Sequence, residues 1–392
     1  MSTSSKRSCK NNPSPAVAAN CRERGFNLVE LLMSMSIATV MFMAIVVLFV
    51  RQGEVMQAQS EQIDMQREAR FALDHLRRDL ATLGSNSTPN SAVDPLVCPK
   101  PGTQLRALTL QLDGYVNDKT LNPHVQPAAL TLFGSLDVKQ RFRTASIEGD
   151  KVVLADDGKL PATQAAWDEI FRTDRYLRIS GPDGHMMFFA VAKADAGAAT
   201  VTVVGTIPRI GAGENCGFQG FGQNYLVDVQ GFVRYRIVAD ERPGAPVLKN
   251  GAAERGVLVR ERLAIDGVTP GPQLILAENA VDLAVFDAFL DTDPVAEKVK
   301  FVRFPLVDDV VQKNGGGLLG SSVAATPEAL RAVTVKVSVR TEWPDARQVH
   351  SPRAVNWSPI ETWQVSADGR GSHRVLSVAT RVAMPTLVSR NL

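Results

Sequence analysis

The sequence has little of what catalytic and metal sites require. Its five histidines (His75, His124, His185, His350, His373) are scattered. They make no H-E-x-x-H or H-x3-H pair, and the four cysteines make no C-x-x-C, so no zinc site is expected. There is no G-x-S-x-G nucleophile elbow. GGGLLGSS at 315–322 lacks the Lys-Ser/Thr ending of a phosphate-binding loop and is expected to be a flexible loop. GFQGFG at 217–222 is not a dinucleotide fingerprint and is expected to be a tight turn beside Cys216. The acidic pairs Asp291/Asp293 and Asp308/Asp309, and LDGYVNDKT at 112–120, lack the ligand spacing of a calcium loop and read as solvated turns. No cofactor, no metal and no enzymatic role are therefore expected.

A strong charge of one sign is missing too. The formal net charge is +2, from 43 basic and 41 acidic residues. Lys6, Arg7, Lys10, Arg22 and Arg24 stand in the first 25 residues against Glu23 alone, so the rest of the chain is slightly acidic. Nothing in it calls for nucleic acid as a partner.

One segment dominates what is present. Residues 26–50, FNLVELLMSMSIATVMFMAIVVLFV, carry a single charge, Glu30. As a helix they reach about 37 Å, enough to cross a bilayer core. Basic residues precede the run, so its N-terminal side is expected in the cytoplasm and everything after Arg51 in the periplasm or outside. The run is too long for the core of a secretory signal, and RQGEVMQAQSEQ after it holds no convincing small-x-small cleavage site. A plain signal anchor leaves Glu30 unexplained, because a carboxylate in hydrocarbon is costly and usually has a partner or a task.

Arg24-Gly25-Phe26-Asn27-Leu28-Val29-Glu30, heading this run, resembles the type IV prepilin motif. The resemblance implies cleavage after Gly25 by a prepilin peptidase and N-methylation of Phe26. Glu30, at the fifth mature position, would neutralise the Phe26 amine of a neighbouring subunit inside an apolar bundle, setting register more than adding stability. Implied partners are the peptidase, other minor and major pilins, the inner-membrane assembly platform and a tip adhesin. The implied location is the inner membrane and then the pilus.

From Arg51 to Leu83 there is no proline, and Gly53 is the one weak point. Ile63, Ala69, Phe71, Ala72, Leu73, Leu76, Leu80 and Leu83 recur at helical spacing. Glu61, Asp64, Arg67, Glu68, Arg70, Asp74, Arg77, Arg78 and Asp79 fill much of the other face, so an amphipathic helix is expected to continue the membrane run. Gly84 and SNSTPNS end it. Many major pilins carry proline near the twenty-second mature position and are shorter; Val47 stands there in this chain, which points to a minor subunit.

Beyond residue 84 short β-rich runs alternate with turn residues. Strands are expected at 105–112, 150–156, 200–206, 231–238, 256–262, 281–289, 331–341 and 373–384, and a short helix at Ala165–Phe171. Val333, Val335, Val337 and Val339 alternate with Lys336, Ser338 and Arg340, predicting one buried and one wet face. The expected fold is α+β, pilin-like: a leader (1–25), a membrane half-helix (26–50), an amphipathic half-helix (51–83) and an antiparallel β-sheet head (84–392). Residues 99–225 are expected to elaborate that head. The last third resembles the tails of PilW-type minor pilins and GspJ-type pseudopilins of type II secretion, and its length favours the former. A type II secretion pseudopilin is the runner-up reading, and an uncleaved, membrane-anchored periplasmic binding protein or adhesin comes after it. In an oxidising compartment Cys98 and Cys216 are permitted to form a disulfide; two separate thiols are the alternative.

Gly25→Ala is expected to block processing. In wild-type membranes mass spectrometry should find a mature chain starting at methylated Phe26; normal cleavage of the variant would end the prepilin reading.

Overall fold

The computed structural model describes residues 27–84, 86–209, 216–217, 222–249, 251–293, 298–303, 330–345, 348–351, 360–367 and 371–384. Gly25 and Phe26 lie outside them. One helix, α1, runs from Leu28 to Thr82 without a break. Gly84 follows at φ 74°, a left-handed conformation that glycine adopts freely and that closes many helices. The chain divides into two units, one up to Gln59 and one from Ser60 onward.

Within the second unit α1 buries Met65, Ala69, Ala72, Leu73, Leu76 and Leu80. The three- and four-residue steps between them make a single stripe. Ile63 and Phe71, expected on that stripe, are exposed. They fall off the line set by Met65, Ala69, Leu73 and Leu76, and Phe71 packs edge-on to His75 instead.

Two antiparallel sheets receive the stripe. The first carries β1 (Leu108–Leu112), β2 (Ala128–Gly134), β8 (Leu226–Ala239), β9 (Gly256–Leu263) and β10 (Pro270–Ala277) in that order. The second has the order β12 (Lys298–Arg303), β11 (Ala280–Asp293), β13 (Leu330–Arg340), β15 (His373–Ala383) and β14 (Thr362–Trp363). Leu76 and Leu80 share one core with Leu130, Leu132, Tyr235, Leu283, Val335 and Val337, drawn from both sheets. The α+β class is thus as expected, and every expected strand forms.

Residues 99–225 contribute strands to two parts of the head. β1 and β2 belong to the sheet under α1. The rest builds a closed barrel on the first half of β8. β3 (Arg141–Glu148) pairs with one edge of β8 and β5 (Tyr176–Ser180) with the other. β4 (Lys151–Leu154), β7 (Thr200–Val203) and β6 (Met186–Asp195) complete the circuit. A short helix, α2 (Gln164–Ile170), is capped by Thr163 and buries Trp167 in the barrel core. β8 is therefore shared: Arg141 and Tyr176 flank Asp228–Gln230, while β2 and β9 flank Val233–Tyr235. Phe133, Tyr176, Phe188 and Phe232 pack together where barrel and sheet meet.

The alternating face of β13 does not meet water. Val333, Val335, Val337 and Val339 are buried as expected, but Lys336, Ser338 and Arg340 are buried too. Lys336 pairs with buried Asp282 at 3.1 Å, and the Ser338 and Ser377 hydroxyls bond at 2.8 Å. Val125, Ile360, Trp363 and Val365, with Val375, cover the end of this second face. Segments distant in sequence supply that cover, so period-two alternation alone could not reveal it.

Leu76 is 1 % exposed at the centre of the shared core. Leu76→Ala is expected to cost about 2–5 kcal/mol, read from urea unfolding of the detergent-solubilised chain. A loss below about 1 kcal/mol would mean the stripe is not the main contact between helix and sheets.

Candidate functional site

From Leu28 to Val50 helix α1 is exposed on every side, apolar except for Glu30 and a few hydroxyls. Ser34, Ser36 and Thr39 donate to the carbonyls of Leu31 (2.9 Å), Met33 (2.9 Å) and Met35 (2.7 Å). Each hydroxyl is thus satisfied within the helix, which is what a hydrocarbon environment demands of polar groups. The segment is long and apolar enough to cross a membrane. A helix apolar all round has no wet face to present, so it needs lipid or other apolar helices about it. Glu30 stands in its first turn, exposed, with its N–H bonded to Asn27 O at 2.8 Å. A carboxylate there also suits the helix N-terminus.

Downstream, polar ties hold α1 to the sheets. Asp79 was expected on the solvent face, yet it is 7 % exposed. Its Oδ2 accepts from the Tyr235 hydroxyl at 2.5 Å and from Arg260 Nε at 2.8 Å. Arg260 also bonds Asp137 at 2.7 Å, which takes Arg262 at 2.7 Å and Arg175 at 3.6 Å. Burial pushes the Asp137 carboxyl up, but Arg260, Arg262 and Arg175 outweigh it and hold it below the usual range. Burial, reinforced by Asp79, pushes the Tyr235 hydroxyl far up, so it stays a donor. Nothing local in the sequence marks these groups. Asp79 lies more than 150 residues along the chain from both Tyr235 and Arg260, and each reads as surface or strand polar.

Cys98 and Cys216 form a disulfide, with Cα atoms 5.3 Å apart. It ties the segment that runs beside β6, where Cys98 N–H donates to Met186 O, to the stretch between β7 and β8. Among the described residues no three His, Cys, Asp or Glu side chains cluster closely enough to hold a metal ion.

A cleft of ≈ 530 Å³ opens between residues 61–71 of α1 and the ends of β10 and β13, lined by Met65, Glu68, Arg255, Glu278 and Arg340 among others. Arg340 donates there to Thr341 O, Glu254 O and the His373 ring, and burial lowers it to about 10. Glu68 Oε2 accepts the Glu278 N–H at 3.0 Å. Burial, with the carboxylates of Glu278 and Asp64 nearby, raises Glu68 from 4.5 to about 6 against that hydrogen bond. Among the described residues the cleft offers ion pairs and hydrogen bonds but no nucleophile–base pair.

The folded chain holds the Glu68 proton more tightly than the unfolded chain. Its contribution to stability is therefore complete below about pH 4.5 and is lost as pH rises through about 6. Glu68→Gln keeps an acceptor for Glu278. It is expected to raise the thermal unfolding midpoint near pH 7.5 while changing it little near pH 4. An unchanged or lower midpoint near pH 7.5 would remove this role.

Comparison with protein-family models, with curated proteins and with solved structures finds no match to this chain.

Proposed function

We propose that this chain is a prepilin-like subunit: it is cleaved after Gly25, inserts in the inner membrane by α1, and enters a type IV pilus as a minor component. The observation that carries this is the string Arg24–Glu30 placed directly at the head of an uninterrupted, all-round apolar helix. The two features make sense together. The helix needs an apolar bundle to replace lipid once it leaves the membrane, and Glu30 needs a cation inside that bundle. A mature N-terminal amine on a neighbouring subunit supplies one. The β-rich head after residue 84 stays outside the cytoplasm, where the Cys98–Cys216 disulfide persists. The subunit acts by assembly and contact, near the filament tip or in priming, and no catalytic role is proposed. Its partners are the prepilin peptidase, the assembly platform and other pilins.

Glu30→Ala should leave membrane insertion intact, because it makes the segment more apolar. Recovery of the variant in sheared filaments should fall severalfold, judged against its level in membranes. Undiminished recovery would count against charge pairing and leave α1 as a plain anchor.

A further inference from the structure

A sheet edge presents unpaired N–H and C=O groups, and proteins usually blunt it. Here the barrel strands close on themselves, β10 carries Pro270 and Pro272 with two register shifts against β9, and β1 is only five residues long. β15 has none of these devices. β14 pairs with it only at His373 and Arg374, and the Val375 N–H then reaches Glu361 O at 3.0 Å. From Leu376 to Ala383 the ladder continues, among the described residues, on the β13 side alone.

The parity of that ladder is fixed at both ends. Arg374 O accepts from the Thr341 N–H, and the Met384 N–H donates to Arg331 O, so even-numbered residues turn their backbone groups toward β13. Ser377, Ala379, Arg381 and Ala383 turn theirs outward, and no backbone hydrogen bond among the described residues takes them. The stretch SVATRVA contains no proline, glycine or lysine. Leu376 and Val378 lie half-buried against the main core beside this edge, so a further strand would complete their cover. Arg381 is exposed over the Phe289 ring, 4.7 Å from its centre, with no carboxylate partner among the described residues.

We propose that the free edge of β15 is an interaction surface that takes an extended segment of a different polypeptide by strand addition. That segment is apolar beside Leu376 and Val378 and carries a carboxylate opposite Arg381. A second copy of this chain fits less well. Antiparallel self-pairing over the whole free edge sets each Ala379 opposite the other copy's Arg381, which makes the two guanidinium groups diagonal neighbours of like charge. The surface does not depend on the filament reading, since it needs only a partner that meets the head.

The test places a photocrosslinking side chain at Ala379 and, separately, at Ala383 in the full chain in native membranes. Strand addition predicts adducts from both positions on one segment of one partner, about four residues apart. Ala379→Pro removes one outward N–H without touching the β13 ladder, and should lower the yield from Ala383 at least tenfold. Ala379→Ser should not. Adducts scattered over unrelated segments, adducts to lipid alone, or full yield with Ala379→Pro would overturn the proposal. Adducts on a second copy of this chain would overturn the choice of partner. If the proline variant fails to accumulate, the spacing of the two wild-type adducts decides alone.

Discussion

The head depends on one stripe of α1. Met65, Ala69, Ala72, Leu73, Leu76 and Leu80 pack into one core with residues of both sheets at once. Ala69 and Ala72, fully buried, keep the helix close to the strands, and the leucines fill the space on either side. Burying such a stripe is the hydrophobic gain that makes a long helix stable beyond its own propensity. Asp79, held by Tyr235 and Arg260, then fixes the helix in rotation and along its axis, because a displaced carboxylate would leave the buried Tyr235 hydroxyl without its acceptor.

Much of this was legible in the sequence, and the legible parts share a cause. The apolar run from Phe26 to Val50 declares its environment by composition alone. The strands that were expected, such as those at 231–238 and 331–341, are rich in β-branched residues and bounded by turns, so local signals suffice. The Gly84 stop was equally local. Gly25 and Phe26, where we propose processing, lie outside the described residues, and that proposal rests on the sequence itself.

What the sequence hid was set by partners far along the chain. β3, β5 and β6 include charged or mixed-polarity runs such as RFRTASIE, and they become strands because closing on β8 buries Phe142, Leu177 and Val191. Lys336 and Arg340 read as solvent-facing until Asp282 and the carbonyls of Thr341 and Glu254 are placed beside them. Ile63 and Phe71 had the right polarity for the core, but the true stripe is offset by a fraction of a turn. Amphipathic spacing sets the width of a helical face better than its centre. The role of Glu68 was hidden for a similar reason, since its environment comes from Glu278, more than two hundred residues away.

The sharing of β8 has a mechanical consequence. The barrel is not hung from the helix-backing sheet by a flexible linker; one continuous strand of 14 residues enters both. Load applied to the barrel's outer loops therefore runs along β8 as shear on its ladders with β2 and β9, whose hydrogen bonds are stressed together rather than one after another. The disulfide at Cys98 adds a second, covalent path back toward the first sheet. A head wired in this way transmits pull to the base of its helix as a stiff body, whichever end is held.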